Sequence, residues 1–395
     1  MASLTLAGIA YLFATREFFA CPALPRRLVI FGLVLAAVWH GAFLRLPVGP
    51  DDDIHRYVWD GRLQRLGYNP YLVIPSDPSS KALHTDETRN LNNPDLPSPY
   101  PPGAELFFRA VTSIHESVFA LRLAFFICEL GIVILLLDLL RKMGRGAHLV
   151  LAFAWNPLLA IEVAGSGHID ILGALLLVMS VAALLRGWRG IAALGFSGAV
   201  AVKFLPIVVM PFYWKRIRIR DAVLGAALFA LLYVPFLDHG RIPLGSLGAY
   251  VQGFRFNGPV FAALDGLASP RWLTGLAVLI GLVTAVTIRR FVPQNSPEVF
   301  AWPMAASLFC APVVFPWYLL WLLPFLTSPS TLLILIWTVS IIPTYVMWHF
   351  RTIGLSWGAL PGWVMILEYG CVALTGVILL LHRISQPRVP HSSCD

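Results

Sequence analysis

Apolar residues recur along the chain in runs of about 17 to 25, the length a helix needs to cross a bilayer. They lie at 3–20, 28–46, 118–140, 147–164, 170–187, 221–237, 271–288, 331–348 and 362–382. Two further apolar segments, 191–214 and 298–327, are shorter and carry internal prolines. A proline removes a helix N–H and clashes with the preceding turn, so helices there must stop or bend. The pattern predicts an all-α, polytopic transmembrane helical bundle of about 12 or 13 segments, the count depending on whether 3–20 crosses the bilayer or lies along it.

Between 47 and 117 the pattern changes. This stretch of about 70 residues is too long for a bare connector and is expected to fold in part as helix. In "IHRYVWDGRLQRLG", residues 54, 58, 63 and 66 are apolar at near-helical spacing with basic residues between them. That reads as a helix in the outer interface, with Arg62 and Arg65 turned towards lipid phosphates. Residues 69–102 are rich in Asn, Asp, Pro and Ser, and a second helix is expected after Pro101-Pro102, in "GAELFFRAVTSIHESV".

Composition places this architecture in a membrane. The chain is 58% hydrophobic and 13% charged, with a mean hydropathy of +0.74, beyond what one soluble core of this length buries. Residues 1–395 read as one integral domain of the cell membrane, with 28–237 as the catalytic module and 238–395 as more variable C-terminal helices. The first apolar stretch lacks the basic start and small-residue cleavage site of a secretory signal and is read as part of the mature protein. Of the 29 Lys and Arg, 15 fall in the connections at 25–27, 141–145, 186–189, 215–220 and 289–290 and in the tail. The positive-inside rule makes these cytoplasmic. The 47–117 loop, holding 10 of the 21 Asp and Glu, is then extracytoplasmic. Because residues 190–214 are flanked by basic residues on both sides, they must enter and return, with Lys203 and Pro206 near the turn. The net charge of +8 is spread between apolar runs. It argues for membrane lipids as partners and against nucleic acid. Five scattered cysteines, Cys21, Cys128, Cys310, Cys371 and Cys394, show no zinc or disulfide spacing.

Candidate chemistry begins with Asp51, Asp52 and Asp53. Adjacent carboxylates against a membrane wall are costly to ionise and suit a base that takes a proton from a sugar hydroxyl. The alternative is a solvated acidic cap on the helix starting near Ile54. Candidate phosphate donors on the outer side are Arg56, His168, Lys203, His349 and Arg351, with Arg255 behind them. For Lys203 the alternative is an ion pair with Glu162 or Asp170; for His168, a helix terminus; for His349 and Arg351, headgroup anchoring. Trp317, Tyr318 and Trp321 suit either an aromatic wall of the site or an interfacial aromatic belt, and are read as the belt.

"DDDIHRYVWDGRLQRLGYNPY" at 51–71 resembles the first-loop signature of bacterial GT-C membrane glycosyltransferases, in particular the polyprenyl-phosphate-mannose-dependent mannosyltransferase-like family. "YPPGAELFF" (100–108), "AWNPLLAIEVAGSGHIDILGALLL" (154–177), "GFSGAVAVKFLPIVVMPFYW" (195–214) and "PWYLLWLLPF" (316–325) extend the resemblance in the right order. It implies a GT-C fold and inverting transfer of a hexose, mannose first, from a polyprenyl-phosphate sugar donor to a glycan or glycolipid acceptor on the extracytoplasmic face. By position it makes Asp52 or Asp53 the general base. A donor phosphate needs cationic groups, for which Arg56, Lys203, His349 and Arg351 are the candidates, with Tyr57, Tyr100, His168 and Asp170 as candidates for contact with substrate. Related proteins often read His-Pro-Trp-Tyr where this chain has Phe315-Pro316-Trp317-Tyr318, which shifts weight to His349 or Arg351. No Gly-rich nucleotide loop is seen and no cofactor is expected; the acidic triplet leaves a divalent cation open. The competing reading is a polytopic transporter with Glu162, Asp170 and Lys203 on its path, although no internal repeat is visible.

Overall fold

The computed structural model describes residues 2–292, 295–354 and 360–385. Among these residues the secondary structure is helical, with isolated β-bridges in place of strands. The main helices are α1 (Ala2–Ala20), α2 (Arg26–Phe43), α3 (Asp53–Arg65), α4 (Pro102–Ile114), α5 (Val118–Lys142), α6 (Ala147–Ala154), α7 (Pro157–Ser166), α8 (Asp170–Leu185), α9 (Arg189–Val202), α10 (Ile219–Phe236), α11 (Pro270–Phe291), α12 (Pro329–Arg351) and α13 (Gly362–Ser385). Six of them, α2, α5, α10, α11, α12 and α13, are long and apolar enough to cross a membrane.

The remaining apolar runs fold as the prolines dictate. The 147–164 run is a broken span, α6 and α7 meeting at 51°. Pro157 cannot continue α6, and the Asn156 side chain takes over the bonding by accepting from the Leu158 N–H at 3.0 Å and donating to Thr338 at 2.9 Å. The 191–214 run is the expected hairpin. α9 stops at Val202, Lys203 is extended, and a 3-10 segment, Leu205–Tyr213, returns. Tyr213 thereby reaches Ser180, whose hydroxyl also donates to the Ala192 carbonyl near the start of α9. Residues 298–327 likewise run out as Ala301–Phe309 and back through 3-10 turns from Pro316.

The bundle has two chemically distinct ends. At one, Lys142 closes α5 on the Leu185 carbonyl of α8, Arg186 pairs with Asp138, and Arg145 pairs with Glu298. Cations at helix C-termini also complement the dipole there. The opposite end carries Asp51 to Asp53, Lys203 and Arg351, so the two ends separate as the basic connections predict.

The 47–117 loop is a folded cap. α5 is capped by Ser117, whose hydroxyl accepts from the Ala120 N–H, and α4 starts at Pro102 as expected. The apolar side of α3 faces protein. Ile54, Tyr57, Val58, Trp59 and Leu63 are buried against α4, α5 and the loop. Arg62 and Arg65 face Glu116 at 2.7 and 2.5 Å instead of lipid phosphate, because Glu116 at the start of the return places a carboxylate within reach of both. α3 and α4 touch at Gly61, where a Cβ would sit 2.6 Å from the Phe108 carbonyl oxygen. Tyr57 stacks on Phe108 with centroids 4.4 Å apart. Trp317 and Trp321 are buried in the bundle, and Trp317 and Tyr318 line a cavity, so they form a wall in place of the expected belt. Their segment turns inward, and the Trp321 indole donates to Asp170 at 2.7 Å.

Candidate active site

The acidic end opens into a cavity of about 1010 Å³, with Asp51, Asp52, Asp53, Lys203, Trp348 and Arg351 on its walls. Tyr250, Phe254, Phe256 and Phe315 line it as well, so the cavity draws on the chain beyond 237. Among the described residues of the 349–362 stretch, Arg351 is the one on the wall; residues 355–359 lie outside the described residues.

Each aspartate of the triplet has a different fate. Asp51 is buried at the root. One oxygen accepts the Asp53 N–H at 2.9 Å, the other accepts the Trp348 indole at 3.1 Å, and His168 Nε2 lies 3.4 Å away. Burial pushes its pKa up, but the His168 charge and these donors outweigh burial and hold it below the usual carboxylate range. Asp52, the residue before α3, makes no cap bond. It faces Arg351 as a two-point pair, 3.3 Å to Nη1 and 3.0 Å to Nη2. Asp53, partly exposed to the cavity, has neutral partners, accepting from the Asn92 amide and, at 3.2 Å, from the Tyr100 hydroxyl. Burial and then the Asp51 charge raise its pKa to about 7, against the opposing pull of His168 and Asn92. The capping alternative thus survives only as the Asp51 bond to the Asp53 N–H.

His168 stands behind the cavity wall. The left-handed Gly167, φ 83°, turns the chain between α7 and α8 and leaves no room for a Cβ, which would meet Ile54 at 2.4 Å. The imidazole stacks on Trp317 with centroids 4.0 Å apart, its Nδ1 2.8 Å from Glu162. Glu162 also receives the Tyr345 hydroxyl. His168 therefore braces Asp51 and does not reach the cavity, because Trp317 lies between.

Of the other expected residues, Lys203 lines the cavity and pairs with Asp170 at 2.8 and 3.0 Å. Its ammonium stands 3.9 Å over the Tyr318 ring, so the ion pair and the cavity position hold together. Asp170 itself is fully buried. Arg56 lines the cavity and also donates to Asp60 at 3.2 Å and to the Leu96 carbonyl at 2.6 Å, holding residues 93–96 beside the site. Tyr57 is buried beneath Tyr100, edge to face at 5.2 Å. His349 is exposed and is not among the residues lining the cavity. Arg255 lines it, close to Asp265 at 3.5 Å. Asn92, Tyr250 and Trp348 complete the site without any sequence signal, since a loop amide or an aromatic in an apolar run looks like its neighbours.

Asp51, Asp53 and His168 bring ligand atoms within 4.8 Å of one another, the spacing of a cation site. The donors are largely engaged, however. Asp51 accepts an N–H and an indole, and His168 lies within ion-pair distance of Asp51 and Glu162, so two of the three groups are committed to these partners, whereas Asp53 has neutral ones.

A polytopic bundle whose long first loop aims carboxylates into a cavity beside lysine and arginine has the design of a GT-C membrane glycosyltransferase. Residues 2–217, more than half of the chain, match the family described as alpha-(1->6)-mannopyranosyltransferase, N-terminal domain. The chain belongs to that family, and it is a multi-pass membrane glycosyltransferase. Its fold is similar to the crystal structure of ArnT from Cupriavidus metallidurans bound to undecaprenyl phosphate, at 16% identity and a TM-score of 0.50, covering 91% of this chain and 73% of that one. The apo state of the same protein gives a TM-score of 0.49 at 16% identity, over 90% and 70%. Among curated proteins none matches. The transporter reading falls with the family match.

Proposed function

We propose that the protein transfers a hexose, most simply mannose, from a polyprenyl-phosphate donor to a hydroxyl of a lipid-linked or cell-envelope glycan on the extracytoplasmic face, with inversion, and that Asp53 is the general base. The observation that carries the reading is the division of labour in the triplet. Asp51 is occupied by buried donors and Asp52 by Arg351, whereas Asp53 faces the cavity with neutral partners. Support for the donor comes from the family and from the undecaprenyl phosphate bound by ArnT.

In this mechanism the acceptor oxygen attacks the anomeric carbon from the side opposite the phosphate. Its proton passes to Asp53, the new C–O bond forms, and the C–O bond to phosphate breaks. The leaving phosphate keeps the electron pair and is held by Lys203 and Arg351. Phe204, Phe254 and Phe256 offer the lipid end of the donor an apolar wall.

Since protonated Asp53 cannot accept a proton, and its pKa is raised to about 7, kcat/KM is expected to fall as pH drops through that value. A profile flat from pH 5 to 8 would remove Asp53 from the proton transfer. The N–H and indole already bonded to Asp51 favour a metal-independent reaction. Activity in EDTA should match activity in added Mg²⁺ or Mn²⁺; a loss restored by either ion would assign a cation to these residues.

A further inference from the structure

The pair between Asp52 and Arg351 links the first loop to α12 at the cavity wall. Arg351 is half exposed, and the Asp52 side chain 23% exposed. Such a pair is held weakly, because water screens both charges and two long side chains must be ordered to keep it. Its geometry is the two-point fork by which a guanidinium also grips phosphate. A carboxylate that occupies this fork in the empty enzyme competes with any phosphate that comes to it.

We infer that Asp52 is a placeholder anion: it occupies Arg351 until donor phosphate enters, and Arg351 then exchanges carboxylate for phosphate. This rests on the polyprenyl-phosphate reading above and adds a role for Asp52 different from that of Asp53. The exchange keeps the arginine neutralised in the empty cavity, where a bare cation beside membrane headgroups would capture unrelated anionic lipid. It also makes Asp52 a specificity element, since a neutral prenyl alcohol cannot displace it. No bond of the substrate is made or broken in this step; one ion pair replaces another.

The test is binding of undecaprenyl phosphate to the purified full chain in neutral-lipid nanodiscs, with undecaprenol as the uncharged control. Asp52→Asn should bind the phosphate roughly two- to five-fold more tightly, the range set by a partly exposed pair, with undecaprenol unaffected. Arg351→Gln should weaken phosphate binding, and Asp52→Asn added to it should give no further gain. Asp52→Ser, which removes the charge with a smaller side chain, should repeat the gain if Asp52→Asn folds poorly by thermal unfolding. Equal gain in the Arg351→Gln background would overturn the exchange, because it would show only a general repulsion between Asp52 and phosphate. Unchanged binding in Asp52→Asn and Asp52→Ser, with normal binding by the wild type, would also overturn it while leaving the donor reading intact. Failure of the wild type to bind undecaprenyl phosphate would overturn both.

Discussion

Asp53→Asn is expected to lower the rate of sugar transfer by roughly 10²- to 10⁴-fold, the range for loss of a general base, while the protein still folds and binds donor. The amide keeps the shape and can still accept a hydrogen bond from Tyr100, but it has no basic oxygen for the acceptor proton. The fall should appear in kcat at saturating donor, because Asp53 acts on the transition state and not on ground-state binding. Asp52→Asn should retain most of kcat, since its carboxylate faces Arg351. Assays with polyprenyl-phosphate mannose on both purified variants separate the two residues. Full activity in Asp53→Asn would rule it out as the base, and a collapse in Asp52→Asn alone would exchange the two roles.

Asp170→Ala is expected to destabilise the bundle by about 3 kcal/mol, near the lower end of what removing one partner of a buried pair costs. It strands the Lys203 ammonium and leaves the buried Trp321 indole without its acceptor. The lower end applies because the Lys203 side chain is 23% exposed. The paired change Asp170→Ala with Lys203→Met should recover much of that stability, since replacing both charges by apolar groups is often close to neutral. It should not recover donor binding if Lys203 holds the phosphate. Thermal unfolding of the single and double variants, with donor titrations on each, distinguishes a structural pair from a functional one. Equal unfolding temperatures for wild type and Asp170→Ala would show that the pair contributes little to the fold.

The amino-acid pattern by itself determined the six long spans, because bilayer length and helical hydrogen bonding act locally: the run at 118–140 became α5, and the run at 271–288 became α11, whereas the runs at 3–20 and 170–187 gave α1 and α8, which are not among the six. It also marked two of the segments that break, those carrying Pro206 and Pro316, whereas the break at Pro157 in the 147–164 run came only from the structure. The basic connections told the two ends apart, and the acidic triplet marked the candidate site. What the pattern did not contain is which aspartate does what. Asp51, Asp52 and Asp53 are identical in side chain and adjacent in sequence, and they differ only in the partners brought from far along the chain: Trp348 and His168 to the first, Arg351 to the second, Asn92 and Tyr100 to the third. Arg62 and Arg65 were misplaced for the same reason, their carboxylate lying at Glu116. Spans follow from local sequence because each one satisfies its own backbone; the chemistry of a carboxylate follows from its neighbours, and only the tertiary fold chooses them.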